Sequence, residues 1–403
     1  MAIAHPFRAW RPKARFVKDI ACVPYDVINS DEARSLVVGH PDSFLHVIRP
    51  EIDLPPTLDY NNPQVYDKGA DNLRELLRSD KMTQEEQEAH FVYRLIMNGN
   101  QQAGFFTCVS VDDYDSEVIL KHELTRPDKE DDRTRHILKQ QAHSEPVMLT
   151  FDDQSGLSRL AEEVMEAEEP LYDFTASDGV QHTLWKVGNT VSVSQAFKQV
   201  PKLYVADGHH RCKSASRAAE KLRMNNPNHT GEEEYNFFPA VLFPMDQMEI
   251  LAYNRIIFEV PDGLLASLQE RFELQDGAEP EPGRKGDISI YLGSKWYGLT
   301  LPQKDEANSV EKLDVARLQQ YLLEPLLGIE DQRRDTNIDF VGGIRGTKEL
   351  ERLVDEGQAE MAISMFPTSI RELKEVSDEG LLMPPKSTWF EPKLRSGLLI
   401  HTF

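Results

Sequence analysis

The stretch KLYVADGHHRCKSASRAAEKLR, Lys202–Arg223, decides the fold. Its first part, Leu-Tyr-Val-Ala, is the pattern of a buried strand. Asp207-Gly208-His209-His210-Arg211 is a tight connection. The remainder, from Cys212 to Arg223, is a good helix former with small residues on one face. Strand, glycine-containing turn and helix N-terminus in that order build an anion site. The first helical N–H groups have no intrahelical partner there, and the helix dipole adds partial positive charge.

The residue types in the turn fit that geometry. Gly208 lets the backbone approach a ligand or take positive φ. His209, His210 and Arg211 offer donors to phosphate oxygens, and arginine suits bidentate phosphate contact. Asp207 can hold a metal, a substrate hydroxyl or an imidazole. A buried, hydrogen-bonded turn is the plainer alternative. The His-His pair by itself is weak evidence, because adjacent side chains on a strand point to opposite faces.

Working outward, 403 residues suit two lobes of roughly 150–250 residues each. We expect the first lobe over 1–245 and a second over 246–403, with the C-terminal tail packing back on the first. In the first lobe, "IACVPYDVI" reads as a short strand turning at Pro24, and Asn29 or Ser30 caps a helix over "DEARSLVV". Residues 66–80 carry helical apolar spacing. Residues 90–111 read as a hairpin turning at Asn98-Gly99. Pro127 starts a helix in the polar stretch 121–136, and further elements fall near 157–168, 182–187 and 193–199. The second lobe is expected to hold a strand at 249–259, helices at 262–272 and 313–327, a hairpin at 287–302 and a buried strand over "MAISMFP".

A net charge of −23 repels nucleic acid and anionic membranes, so neither is expected as a partner. No apolar run approaches the ~20 residues of a membrane span. The N-terminus lacks the layout of a secretion signal. Cys22, Cys108 and Cys212 are scattered and form neither a metal motif nor a disulfide framework. A reducing cytoplasm is the expected location. Two basic stretches, Arg8–Lys18 and Lys386–Arg395, run against the global sign, as an anionic substrate would require.

Three further groups of residues could carry chemistry. Asp26, after Pro24-Tyr25, is placed to act as general base, although the same residues are ordinary turn formers. The run Lys121–His136 mixes acids with His122, Arg126, Arg133 and His136. It reads either as metal and phosphate ligands or as a solvated charged face. "PPKSTWFEPKLRSG" (384–397) brings Lys386, Lys393 and Arg395 back with a Trp-Phe pair that is costly to expose. "FVGGIRG" (340–346), with Arg345, looks like a phosphate turn but lacks the Walker and dinucleotide spacings.

The landmarks "VPYDVI", "PDSFLHVIRPEIDLP", "KHELTRPDKEDDR", "HTLWKV", "YVADGHHRCKSA", "YNRII", "DFVGGIRG", "FPTSI" and "MPPKSTWFEPKLRSG" run in order along the chain. With them the sequence closely resembles domain-of-unknown-function family 1015. Its "ADGHHR" is similar to the signature of the ParB/sulfiredoxin-like superfamily, which includes free-serine kinases, sulfiredoxin and CTP-binding partition proteins. The resemblance implies an α+β fold, a nucleotide-binding core elaborated by a second mixed α/β lobe. It implies a small-molecule kinase using ATP or ADP with Mg²⁺, free L-serine being the leading acceptor and O-phospho-L-serine the product. Carried over by motif, Asp26, Asp207 and His209 would be catalytic and Asp207 the metal ligand. Gly208, His210 and Arg211 would hold nucleotide and phosphate; from the charged clusters described above, Arg126, Arg133 and Arg345 are added to them and His122 and Lys386 are assigned to the substrate. Asp26 stands where those kinases use Glu, so its reach is shorter. The alternatives are a nucleotide-responsive regulatory protein without turnover and an interaction protein whose signature residues only pack. Cys212 beside the turn keeps a sulfiredoxin-like reading in view. A homodimer is compatible with all of these.

Overall fold

The computed structural model describes residues 1–403. The chain divides into two units. The first comprises Met1–Leu120, Thr125–Met248 and Pro392–Phe403, and the second Lys121–Leu124 and Glu249–Glu391.

The first unit is built on a nine-stranded sheet. Its strands are β1 (Ala4–His5), β2 (Phe91–Met97), β3 (Asn100–Ser110), β4 (Ile119–Leu120), β5 (Val147–Phe151), β6 (Tyr172–Thr175), β7 (Gln181–Lys186), β8 (Leu203–Asp207) and β9 (Phe237–Pro244). Their order is β4-β8-β5-β9-β3-β2-β7-β6, with β1 beside β3. The β8–β4 and β9–β5 pairs are parallel and the remaining pairs antiparallel. The hairpin turns as its Asn-Gly demands, with Asn98 and Gly99 both at positive φ. Its register runs from Phe91 opposite Phe106 to Met97 opposite Asn100.

The helices of this unit are α1 (Pro63–Arg78), α2 (Pro127–Gln140), α3 (Leu157–Ala167), α4 (Thr190–Phe197) and α5 (His209–Asn225). Pro63 and Pro127 each occupy a first turn, where a missing N–H costs nothing. Asn29 caps the short helix Ser30–Leu36 in a capping box with Glu32. "IACVPYDVI" does not form the expected strand. Cys22 makes only an isolated bridge to Ser396, and Tyr25–Val27 is a 3-10 turn. Pro24 supplies no ladder N–H and holds the chain at φ −60, which stops a strand there.

Small residues on α5 set its packing. Cys212, Ala215 and Ala219 sit in the core with Val205, Phe105 and Leu242. On another face Ser214 Oγ donates to the Glu130 carbonyl of α2 at 3.2 Å, a distance a larger side chain would prevent. The C-terminal segment is tied into the sheet by "HTLWKV". Arg395 donates from Nε to His182 Nε2 at 3.2 Å and pairs with Asp178. His182 therefore carries its proton on Nδ1, 2.7 Å from the Tyr93 hydroxyl.

Burial holds several histidines neutral. It pushes His90 down to about 4, with His5 adding to the effect. It pushes His182 down to about 3 beside Arg395, and His136 to about 3 beside Arg133. In the unfolded chain all three titrate near 6.5. Between those limits the unfolded state binds more protons, so stability falls as pH drops below about 6.5. Denaturant midpoints should decline between pH 7 and pH 5, each histidine contributing about 1.4 kcal/mol per pH unit. A midpoint that rises over that range would contradict the neutral assignment.

The second unit has a six-stranded antiparallel sheet of β10 (Tyr253–Ile257), β11 (Gln275–Asp276), β12 (Asp287–Leu292), β13 (Lys295–Thr300), β14 (Ile338–Gly342) and β15 (Met361–Met365), in the order β11-β13-β12-β15-β10-β14. The expected strand at 249–259 is interrupted at Ala252, and its first part, Glu249–Leu251, pairs instead with Trp389–Glu391. Helices α6 (Leu264–Arg271), α7 (Gly346–Asp355) and α8 (Ile370–Asp378) complete the main elements. Gly342 packs against the Trp389 ring so closely that a Cβ there would lie 2.8 Å from it. The Trp-Phe pair is thus covered within this unit. No helix is long and apolar enough to cross a membrane.

Candidate functional site

Strand β8 delivers the turn. Between Val205 and Asp207 its register against β5 slips by one residue, Ala206. Such a bulge re-aims the next side chain, here Asp207. Gly208 follows at φ +103 and starts α5 with no side-chain cap. An added Cβ would meet Arg211 Nε at 3.0 Å and Val147 Cγ1 at 3.1 Å, so both conformation and space require glycine.

Arg211 is the centre of the site. Its side chain is 7 % exposed. Nη1 donates to the Pro146 carbonyl, and Nη2 faces Asp207 Oδ2 at 3.3 Å and Asp26 Oδ2 at 3.7 Å. Nε and Nη2 are buried without a hydrogen-bond partner. Burial opposes the Arg211 charge, but Asp207, Asp26 and Glu145 outweigh it and keep the guanidinium firmly protonated. Burial also pushes the Asp207 carboxyl up. Lys393, Arg211 and His209 overcome that and hold it well below the usual carboxylate range. Lys393 Nζ lies 3.5 Å from Asp207 Oδ2.

Of the other residues expected from sequence, His210 Nε2 accepts from the Arg126 backbone N–H at 3.0 Å. That bond locks the start of α2 to the turn. The Arg126 side chain is exposed and paired with Asp128. Arg133 is buried, with its nitrogens engaged by Asp132 (2.7 and 2.8 Å), the Ile48 carbonyl (3.3 Å) and Glu145 (3.6 Å). It also lies over the Tyr25 ring at 4.2 Å. His122, Lys386 and Arg345 belong to the second unit. There His122 Nε2 is 3.3 Å from Thr388 Oγ1, two residues beyond Lys386. Lys386 Nζ sits 5.3 Å over Tyr253, and Arg345 pairs with Glu349. Cys212 is buried, and burial pushes its thiol up to about 12, which is the wrong direction for a reactive thiolate.

Sequence reasoning missed Glu145. It follows a short strand, precedes Pro146 and has no motif around it. Its one local signal is that a residue before proline is held extended. Glu145 Oε1 accepts the Tyr25 N–H at 3.3 Å, fixing the 3-10 turn that presents Asp26.

Fold and site together define a mixed α/β protein whose strand–turn–helix connection gathers buried charge. The chain belongs to the family described as Protein of unknown function (DUF1015), which matches residues 4–316. No curated protein matches it. Similar solved structures include a conserved hypothetical protein from Pyrococcus furiosus (11 % identity, 73 % of this chain and 95 % of that one, TM-score 0.36). Another is SbnI with C-terminal truncation from Staphylococcus aureus (14 %, 72 % and 85 %, 0.40). A third is a free serine kinase in complex with AMP (13 %, 73 % and 92 %, 0.38). Likenesses of this strength assign neither fold nor activity to the present chain.

Proposed function

We propose that this protein is a small-molecule kinase that moves a phosphoryl group from ATP or ADP to a hydroxyl acceptor, with free L-serine the first acceptor to test. One observation carries the reading. A buried arginine, Arg211, keeps Nε without a hydrogen-bond partner and Nη2 with only ion pairs to Asp207 and Asp26, at an uncapped helix N-terminus. Donors so arranged suit the oxygens of a transferring phosphoryl group, where fixed charge lowers the barrier most. The motif resemblance to the ParB/sulfiredoxin-like superfamily points the same way. Backbone N–H groups after Gly208 would receive phosphate oxygens. Lys393 and Arg211 would offset the phosphate charge, and His209 would stand at the reacting end. Asp26, on the sequence reading, would take the acceptor's proton.

With Asp207 Oδ2 facing Lys393 and Arg211, its other oxygen, Oδ1, would be the one to hold Mg²⁺, an ion that takes one or two carboxylate oxygens along with phosphates and water. When bound it would neutralise charge on the phosphates. The reading rests on first-unit residues alone.

The test is incubation with Mg-ATP, and separately Mg-ADP, with a panel of small hydroxyl compounds headed by L-serine, reading phosphorylated product by mass spectrometry. Product formation supports a kinase. Thermal stabilisation by nucleotide without product from any acceptor would favour a nucleotide-responsive binding protein instead.

A further inference from the structure

Behind Arg211 lies a cavity of about 40 Å³ lined by Arg133, His136, Gln140, Ser144, Glu145 and Arg211, with apolar walls from Ile48, Ile137, Val147 and Phe238. That is room for about three water molecules, enough for the head of a small acceptor and far too little for a nucleoside.

The lining groups differ in what they have left to offer. Gln140 and Ser144 bond to each other, and Gln140 also donates to the Val47 carbonyl. Arg133 is engaged by Asp132, Ile48 and Glu145. Arg211 Nε has no hydrogen-bond partner, Arg211 Nη2 has only the carboxylates of Asp207 and Asp26 at 3.3 and 3.7 Å, and Nδ1 of His136, which is 6 % exposed, has none. Glu145 is 8 % exposed and meets only the Tyr25 N–H at 3.3 Å and Arg133 at 3.6 Å. A second carboxylate placed here would face Glu145, and an ammonium would face two guanidiniums. A neutral group that both accepts and donates, a hydroxyl, can donate to a Glu145 oxygen while accepting from a guanidinium on the cavity wall.

We propose that Glu145, not Asp26, is the carboxylate that takes the acceptor's proton, the hydroxyl entering the cavity that Glu145 shares with Arg211. This inference rests on the phosphoryl-transfer reading above. The hydroxyl oxygen forms a bond to the terminal phosphorus of the nucleoside di- or triphosphate, and the bond from that phosphorus to the bridging oxygen breaks. The leaving phosphate keeps the electron pair, and the hydroxyl proton passes to a Glu145 oxygen. Asp26, with 36 % of its side chain exposed, then serves to hold Arg211.

The surroundings of Glu145 suit a base. Burial raises its carboxyl above the ordinary range, against the pull of Arg133 and Arg211 and with Asp26 reinforcing the rise. Tyr25 and Cys22 face it as neutral groups, since burial pushes both of them up. His136 and His143, also on the cavity wall, are held neutral by burial. A carboxyl raised in this way works as a base only above its own pKa, so turnover should rise with pH through a value above that of a free glutamate.

The test compares Glu145→Gln with Asp26→Asn in the phosphorylation assay across pH 4.5–8. Glutamine keeps an oxygen for the Tyr25 N–H, so the turn stays in place, and thermal stabilisation by Mg-ADP checks that the nucleotide site survives. Glu145→Gln should lose about 100-fold or more in turnover together with the acidic limb of the pH profile, while nucleotide stabilisation is retained. Asp26→Asn should keep that limb. If Glu145→Gln retains wild-type turnover and pH dependence, or if Asp26→Asn is the variant that loses the limb, the assignment to Glu145 is overturned while the kinase reading stands. A wild-type protein that phosphorylates no acceptor overturns both.

Discussion

Asp207→Asn is expected to abolish phosphoryl transfer, with at least a ~100-fold loss of turnover, while the protein stays folded. The side chains are nearly isosteric, and neither the bulge at Ala206 nor the positive φ of Gly208 depends on the charge. What disappears is an anion held between Lys393 at 3.5 Å and Arg211 at 3.3 Å, and with it the proposed carboxylate ligand of the metal. Leaving those two cations unbalanced should cost about 1–3 kcal/mol of stability. The sign with pH is definite. In the folded protein the Asp207 carboxyl lies below its unfolded value, so its contribution is fully present above the unfolded pKa and is lost only as pH falls through the folded one. The deficit of the variant should therefore be the same at pH 6 and pH 9. Urea titrations at the two pH values, beside the mass-spectrometric assay, check both statements, and retained turnover in the variant would remove Asp207 from the chemistry.

The local elements were readable because each depends on residues close in sequence. Asn98-Gly99 fixes its own turn, Pro127 its own helix start, and Leu203–Asp207 a strand whose buried run needs no partner to be recognised. The Asp207–Arg211 turn could be read for the same reason. Glycine, acid and arginine within five residues state the chemistry before the fold is known. The "IACVPYDVI" segment misled because its apolar residues serve tertiary packing around a proline turn and make no ladder. Glu145 could not be found from sequence. Its proposed role comes from what approaches it across the fold, Arg133 from α2, Arg211 from α5 and the Tyr25 backbone, over separations that no local pattern encodes. The contact of Lys393 with Asp207 spans 186 positions. The basic tail was visible as a charge anomaly, but only the fold names Asp207 as its partner.

Arg211→Met should be the most damaging single change in the first unit. Arg211, itself nearly closed to water, opposes three carboxylates, those of Asp207, Asp26 and Glu145. Methionine approximates the length of the side chain and its apolar packing over Gly208 but leaves the acids facing one another. Breaking a buried pair by removing one partner costs about 3–5 kcal/mol. Asp207 and Glu145, the two less exposed carboxyls, relieve their repulsion by binding protons, so their folded-state pKa values rise. A carboxyl raised above its unfolded value favours the folded state at low pH and withdraws that support as pH climbs through the folded value. The stability difference between variant and wild type should therefore be larger at pH 8 than at pH 5, whereas simple loss of packing would give a deficit independent of pH. Nucleotide binding should fail at both pH values, because the guanidinium proposed to receive phosphate oxygens is gone. Chemical unfolding at pH 5 and pH 8, with and without Mg-ADP, separates the possibilities. A deficit independent of pH with nucleotide stabilisation intact would make Arg211 a packing element and would leave the helix N-terminus alone as an insufficient basis for a phosphate site.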